Sequence, residues 1–209
     1  MRPLFVLALA ATLGFAEDSR VAQRGAHRMQ ITLERMEAGA WKAIDPSLVL
    51  DKDDRIRFKF KANFAGYLYV TNQSTSSTST MLFPRVDTGS NNRILANREY
   101  VVPATKGAFR VDGPAGYDVV AWLISPVELG RPEAPPAASM PPANMTPRCD
   151  DTLFRARGAC LDTAAGPQAA KRAEKADDLV FIREKDSSVI SSTAPLTSPF
   201  VYEFHLAHK

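Results

Sequence analysis

Basic and apolar residues alternate strictly along residues 55–61. This alternation constrains the fold more than any other feature of the sequence. Successive side chains of a β-strand point to opposite faces of the sheet. The pattern therefore predicts a strand with one apolar face toward a core and one basic face toward solvent. The apolar positions are Ile56, Phe58 and Phe60, and the basic positions are Arg55, Arg57, Lys59 and Lys61.

The same two-residue period continues from Arg28 to about Ser125. Short apolar or alternating runs, each bounded by turn-forming residues, predict several strands, and no stretch between them has the helical period. Short strands at regular spacing are typical of an all-β, antiparallel β-sandwich. The clearest runs are 29–33, 67–70, 80–83, 101–102, 109–111 and 117–124, with turns at 63–66 and 113–116.

Composition changes at residues 131–147, which contain six prolines in seventeen residues and favour an extended connector. Beyond this linker the sequence predicts a cysteine loop, a short helix at 168–176, and strands at 179–182 and 200–206, with a further candidate strand at 188–191. Two or three isolated strands are only marginally stable, so we expect them to pack back onto the first sheet rather than form a separate unit.

The beginning of the chain has the three-part layout of a secretory signal. A basic start at Arg2 precedes an apolar run at 4–11, small residues at Gly14 and Ala16, and an abrupt polar turn at Glu17. The apolar run is much shorter than the roughly 20 residues of a membrane span, and no later segment is long enough to be one. We therefore expect cleavage after Ala16 and a secreted or periplasmic product without a transmembrane segment.

These boundaries define the predicted domain plan. Removing the first 16 of 209 residues leaves 193, which suits one domain with additions. The plan is a signal peptide at 1–16, an N-terminal tail at 17–27, a β-sandwich core at 28–130, a proline-rich linker at 131–147, and at 148–209 a disulfide loop, a short helix and C-terminal strands that complete the sandwich.

Only two cysteines are present, Cys149 and Cys160. In an exported chain such a pair predicts a disulfide, and the alternative is two free thiols. Their number and spacing exclude a Cys-x-x-Cys redox motif and a zinc site of several cysteines. The formal net charge of +3, which falls to +2 without Arg2, argues against a nucleic-acid-binding protein, since these usually carry a strongly basic patch.

Residues 55–125 also resemble a known family through the order of their motifs. The motifs are Gly66-Tyr67-Leu68-Tyr69-Val70, Leu82-Phe83-Pro84, Asn91-Asn92-Arg93-Ile94, Tyr100-Val101-Val102-Pro103, Phe109-Arg110-Val111 and Gly113-Pro114-Ala115-Gly116. This arrangement is similar to the bacterial family known as domain of unknown function 4384. The resemblance implies a bacterial source, an immunoglobulin-like sandwich and an accessory role, and it carries over no catalytic residue. Two departures are Arg85, where the family usually has Asn, and a polar loop at 73–79 that is richer in Ser and Thr.

The sequence offers little chemistry of the kind that catalysis needs. It contains no Gly-x-Ser-x-Gly elbow, no His-Glu-x-x-His helix and no phosphate-binding glycine loop. His205 and His208 lack nearby ligands for a metal, so we expect surface histidines. Asp51, Asp53 and Asp54 lack the glycine and glutamate of a calcium loop and predict a turn. The expectation is a protein that is not an enzyme, with no cofactor and no metal.

The best candidate binding site is the basic face formed by Arg55, Arg57, Lys59 and Lys61. Four cations in a row can meet an anionic polymer or an acidic partner, although a solvated sheet face needs charge in any case. The aromatic residues Tyr67, Tyr69, Phe83, Tyr100 and Trp122 are expected to pack between the sheets rather than form a carbohydrate platform.

The functional hypothesis is an exported, non-catalytic module that contacts another envelope or secreted protein. One alternative is a module that binds an anionic glycan or cell-envelope polymer through the basic strand. A second alternative is a hydrolase whose site gathers Asp, Glu or His from distant loops.

Overall fold

The computed structural model describes residues 27–75, 79–130, 145–170, 179–184, 186–193, 197 and 199–209. The expected signal peptide, most of the N-terminal tail and most of the proline-rich linker lie outside the described residues. The elements are β1 His27–Glu37, β2 Ala40–Ile44, β3 Arg55–Ala62, β4 Gly66–Gln73, β5 Ser79–Phe83, β6 Arg93–Ile94, β7 Glu99–Val102, β8 Phe109–Arg110, β9 Gly116–Ser125, α1 Asp151–Arg157, β10 Gly166–Ala169, β11 Leu179–Arg183, β12 Ser188–Ser192 and β13 Phe200–His208.

These strands form two antiparallel sheets that pack face to face, which confirms the predicted β-sandwich. Sheet I has the order β11-β12-β1-β3-β7, with β2 also paired to β1 and β8 also paired to β3. Sheet II has the order β10-β13-β9-β4-β5, with β6 also paired to β4. Among the described residues, no helix is long and apolar enough to cross a bilayer.

Aromatic side chains from both sheets form the centre of the core. Phe58 of β3 meets Trp122 of β9 with ring centroids 5.3 Å apart in an edge-to-face arrangement, and Phe60 meets the same ring at 5.5 Å. Trp122 stacks on Tyr202 of β13 at 6.0 Å. All four side chains are buried. The inward face of β3 is therefore the one that its alternation predicts, and the hydrophobic effect decides that orientation.

The C-terminal strands complete both sheets. β13 lies between β10 and β9 and pairs with β9 along its whole length, from Phe200 opposite Ile124 to His208 opposite Gly116. β12 pairs with β1, and β11 pairs with β12, so these two strands extend sheet I. The core consequently contains side chains from both ends of the described chain.

The described residues contain a helix that the sequence did not predict, and most of the predicted helix at 168–176 lies outside them. The structure places α1 at Asp151–Arg157, between the cysteines, where Asp150 caps its first turn by accepting from Leu153 N at 2.9 Å and Gly158 ends it with φ 67°. Gln168 and Ala169, the start of the predicted helix, belong to β10, and residues 171–178 lie outside the described residues. Pairing with β13 outweighs the local helix propensity at these two positions.

Candidate interaction face and inter-sheet cavity

The predicted basic face is on the outside of sheet I, but carboxylates neutralise its centre. Glu34 of the neighbouring strand β1 lies between Arg57 and Lys59, with its two oxygens 2.6 Å from Arg57 Nε and 3.6 Å from Lys59 Nζ. Lys59 is also 4.0 Å from Glu99 of β7. The Arg57 guanidinium lies 4.4 Å from the centre of the Trp41 ring. Two of the four predicted cations are therefore engaged within the sheet.

Arg55 and Lys61 lie at the two ends of this row and are exposed. Arg57 and Lys59 are only partly exposed, because they reach across to a glutamate side chain that is 8% exposed. The row is thus two separate exposed cations with a paired centre, not a continuous basic stripe. The alternation of β3 revealed the cations, but only the register between β1 and β3 shows Glu34 opposite Arg57.

The last strand of sheet I exposes apolar side chains. In β11, Leu179 and Phe181 pack against the core, whereas Val180 and Ile182 are 55% and 49% exposed. β11 pairs with β12 on one side and ends the strand order of its sheet. Exposed apolar residues on a terminal strand are a feature that natural sheets usually avoid, so this pair marks a candidate contact surface.

The cysteine loop covers the outer face of sheet II, and the predicted disulfide joins Cys149 to Cys160. The carbonyl of Cys160 accepts a hydrogen bond from Val49 N at 2.9 Å, and Asp162 N donates to the carbonyl of Ser47 at 2.8 Å. A second small core forms beneath this segment. Its buried members are Val49, Tyr117, Ala165 and Ala207.

A buried carboxylate, Asp162, organises the docking of the cysteine loop. It accepts hydrogen bonds from the Tyr117 hydroxyl, from Arg148 N at 2.7 Å and from Ala164 N at 2.8 Å. Burial raises the pKa of Tyr117 well above its usual range, and the hydrogen bond to Asp162 raises it further. Tyr117 is therefore a neutral hydroxyl that holds the loop to β9.

A cavity of about 480 Å³ opens between the two sheets at one end of the sandwich. Its walls combine polar and apolar side chains, and the apolar ones come from both sheets, including Ile56, Phe58, Phe109, Val120 and Leu206. Its polar lining contains Asn72 of β4, Asp118 of β9 and His208 of β13, with Arg110 and Asp112 also present. These three neighbouring strands place an amide, a carboxylate and an imidazole on one inward face.

The carboxylate of Asp118 connects this polar group. Oδ1 accepts from Thr75 N at 3.0 Å, Oδ2 accepts from Asn72 Nδ2 at 3.3 Å, and Oδ1 is 3.5 Å from His208 Nε2. Within the described part of the chain, Asn72 Oδ1 and His208 Nε2 are buried without a hydrogen-bond partner. Buried polar atoms are normally paired, so these two require an explanation.

The two C-terminal histidines differ in environment. His205 points outward, is partly buried and lies 3.2 Å from Glu203 Oε2. His208 is 2% exposed, so the prediction of a surface histidine was wrong for it. The strand continues to His208, and the alternation that buries Phe204 and Leu206 turns His208 inward as well. No sequence pattern reveals that the strand extends to this residue.

The remaining predicted residues follow the sequence more closely. Asp51, Asp53 and Asp54 form a turn, in which the Asp54 carboxylate accepts from Asp51 N at 3.0 Å and pairs with Arg35 at 3.3 Å. Of the five aromatic residues, Phe83 and Trp122 are buried in the core between the sheets. Tyr69 is buried outside this core, with its hydroxyl hydrogen-bonded to the backbone of Leu129, so the prediction was wrong for it. Tyr100 stacks on Phe60 at 5.6 Å, and Tyr67 is half-buried.

The two packed sheets and the cavity between them define the class: an antiparallel β-sandwich with a disulfide-bearing segment on one outer face. Residues 49–128 match the family model of the Domain of unknown function (DUF4384), which confirms the resemblance over this segment. The matched segment contains Asn72 and Asp118, whereas His208 comes from outside it. No curated protein and no solved structure matches the chain.

Proposed function

We propose that this protein is an exported, non-catalytic module that binds another envelope or secreted protein. The layout of residues 1–16 supports export, since it has the basic, apolar and small-residue parts of a secretory signal. The disulfide between Cys149 and Cys160 also supports it, because such bonds persist mainly in oxidising compartments.

The observation that carries the binding role is the exposure of Val180 and Ile182 on the terminal strand β11. Two β-branched apolar side chains on such a strand gain stability when a partner covers them. A partner strand or an apolar partner face meets this requirement, and the main-chain groups of a terminal strand add hydrogen bonds to a partner strand.

The cavity supports binding over catalysis. A hydroxyl nucleophile needs a base within hydrogen-bond distance. His208 Nε2 has no hydroxyl partner among the described residues and faces the Asp118 carboxylate at 3.5 Å. The carboxylate is itself held by Asn72 and Thr75.

A second candidate function is binding of an anionic envelope polymer. The exposed positions of Arg55 and Lys61 favour it, since these two cations are free to meet an anionic chain. The engagement of Arg57 and Lys59 by Glu34 weakens it, because half of the row is already paired.

Capture from the native envelope tests both functions. The full-length sequence carries a C-terminal tag and is expressed with its own leader. We expect one stoichiometric protein partner, which the variant Val180→Lys with Ile182→Lys no longer retains. The control variant Val86→Lys with Leu95→Lys alters two other exposed apolar residues and should retain the partner.

Two outcomes count against binding of a protein partner through β11. Retention by the Val180→Lys, Ile182→Lys variant would exclude β11 as the contact surface. If the wild-type protein recovers polysaccharide and the variant Arg55→Glu with Lys61→Glu does not, the anionic polymer is favoured instead.

A further inference from the structure

We propose that the inter-sheet cavity is a binding site for a small amphiphile with a primary ammonium head and an apolar body. The head would lie against Asp118 and Asn72, and the body would lie between the apolar inner faces of the two sheets. This site does not use Val180 or Ile182 and is independent of the proposed partner surface.

The size and walls of the cavity fit a small organic ligand. Its volume of about 480 Å³ lies within the range of roughly 300 to 1,000 Å³ that is usual for such sites. Five of its apolar wall residues come from strands and flanks of both sheets, namely Ile56, Phe58, Phe109, Val120 and Leu206. The apolar body of a ligand that contacts these residues is removed from water, which favours binding.

The polar end favours a ligand that donates hydrogen bonds. Asn72 Oδ1 can only accept, and it is buried without a donor among the described residues. Asp118 is an ionisable acceptor whose side chain is 17% exposed. His208, which is 2% exposed, lies beside this carboxylate, with Nε2 3.5 Å from Asp118 Oδ1. A primary ammonium offers three N–H donors to these acceptors.

The distribution of charge around the cavity also favours a cation at its polar end. Arg110, the lining arginine, is 66% exposed and lies 3.6 Å from Asp53, which directs its charge to the surface. Asp112 is exposed as well. The carboxylate of Asp118 is therefore without an arginine or lysine partner in the described structure, and its neighbours are Asn72, Thr75 and His208.

Calorimetric titration of the folded, full-length protein with three matched probes tests the proposal. The probes are hexylamine, 1-hexanol and hexanoate, which share an apolar chain and differ in the head. The titration is run at pH about 8.5, where an alkyl amine of pKa near 10 stays charged. We expect saturable binding of hexylamine, about tenfold tighter than that of 1-hexanol, and no binding of hexanoate.

Two variants locate the site. Asp118→Asn should reduce the preference for hexylamine over 1-hexanol about tenfold, whereas Asp87→Asn, a surface carboxylate paired with Arg85, should leave it unchanged. Leu82→Trp enlarges a side chain that lines the cavity and should reduce binding of both probes. Leu95→Trp introduces the same residue at an exposed position elsewhere and should have no effect.

The proposal is overturned if folded protein binds none of the probes, because the cavity then holds only water. Equal affinity for the three probes, or tighter binding of hexanoate, refutes the ammonium head. Unchanged hexylamine binding by Leu82→Trp refutes this location.

Discussion

Tyr117 of strand β9 donates a hydrogen bond to the carboxylate of Asp162, and this contact joins sheet II to the disulfide-bearing segment. The same carboxylate accepts from two backbone N–H groups of the segment, Arg148 N and Ala164 N. One buried side chain therefore holds the loop together and fixes it to the sheet.

Tyr117→Phe should destabilise the fold by about 1–3 kcal/mol, because a buried carboxylate loses one of its donors. Urea unfolding monitored by tryptophan fluorescence measures the change. Tyr67→Phe is the control, since Tyr67 is a half-buried tyrosine of sheet II and should change stability little. Equal stability of the two variants would show that the Asp162 contact contributes nothing.

Stability should fall at alkaline pH. Burial raises the pKa of both Tyr117 and Tyr202 above the ordinary value of 10. The folded state then holds these protons more tightly than the unfolded state, so the stabilisation is complete below pH 10 and is lost as pH rises through the folded pKa. Melting temperatures measured from pH 8 to 11 should decline above pH 10, and the decline should be shallower in Tyr117→Phe. Identical profiles for wild type and variant would contradict the assignment to Tyr117.

Loss of the disulfide should cost about 3 kcal/mol, since the cross-link closes a short loop with a sequence separation of 11. Cys149→Ala with Cys160→Ala should also increase amide hydrogen exchange at Val49 and Asp162. Their N–H groups donate to the carbonyls of Cys160 and Ser47, which joins the cysteine loop to the segment before β3. Amide exchange in the β3–β7 pairing serves as the internal control. Faster exchange there but not at Val49 would be inconsistent with local docking of the loop.

Glu34→Gln should destabilise the sheet by about 1–2 kcal/mol, because the buried carboxylate that accepts a charged hydrogen bond from Arg57 and lies near Lys59 is replaced by a neutral amide. Glu99→Gln, at an exposed carboxylate 4.0 Å from Lys59, should change stability by less than about 0.5 kcal/mol. Chemical denaturation of the two variants compares them directly. Glu34→Gln should also increase binding of heparin, used as a generic polyanion, because two cations are released.

Export predicts a defined N-terminus. Expression of the full-length sequence in a bacterial host should give a periplasmic or secreted product whose first residue is Glu17, after cleavage behind Ala16. Edman sequencing of the fractionated protein measures this. Ala16→Arg should block cleavage, whereas Glu17→Gln should not. A cytoplasmic product that retains Met1 would refute the export proposal.

Sequence reasoning succeeded where the deciding physics is local. The alternation in β3 predicts that the side chains of Ile56, Phe58 and Phe60 turn inward, because successive residues of a strand point to opposite faces and the apolar face is buried. The pairing of the two cysteines follows because no other cysteine is present. The predicted start of the short helix was wrong at Gln168 and Ala169, because the pairing of Gly166–Ala169 with β13 outweighs local helix propensity there.

The candidate sites depended on contacts between distant parts of the chain. Glu34 neutralises the basic strand only because the β1–β3 register places it opposite Arg57. His208 reaches the cavity only because β13 pairs with β9 as far as Gly116, which brings its imidazole to within 3.5 Å of Asp118. The sequence by itself thus determined most of the strands, the inward face of β3 and the pairing of the two cysteines, which follow from local pattern and composition, whereas it missed β2 and β10. The tertiary structure alone decided which charges are paired and where the cavity lies, because strand register and sheet packing join residues that no local pattern relates.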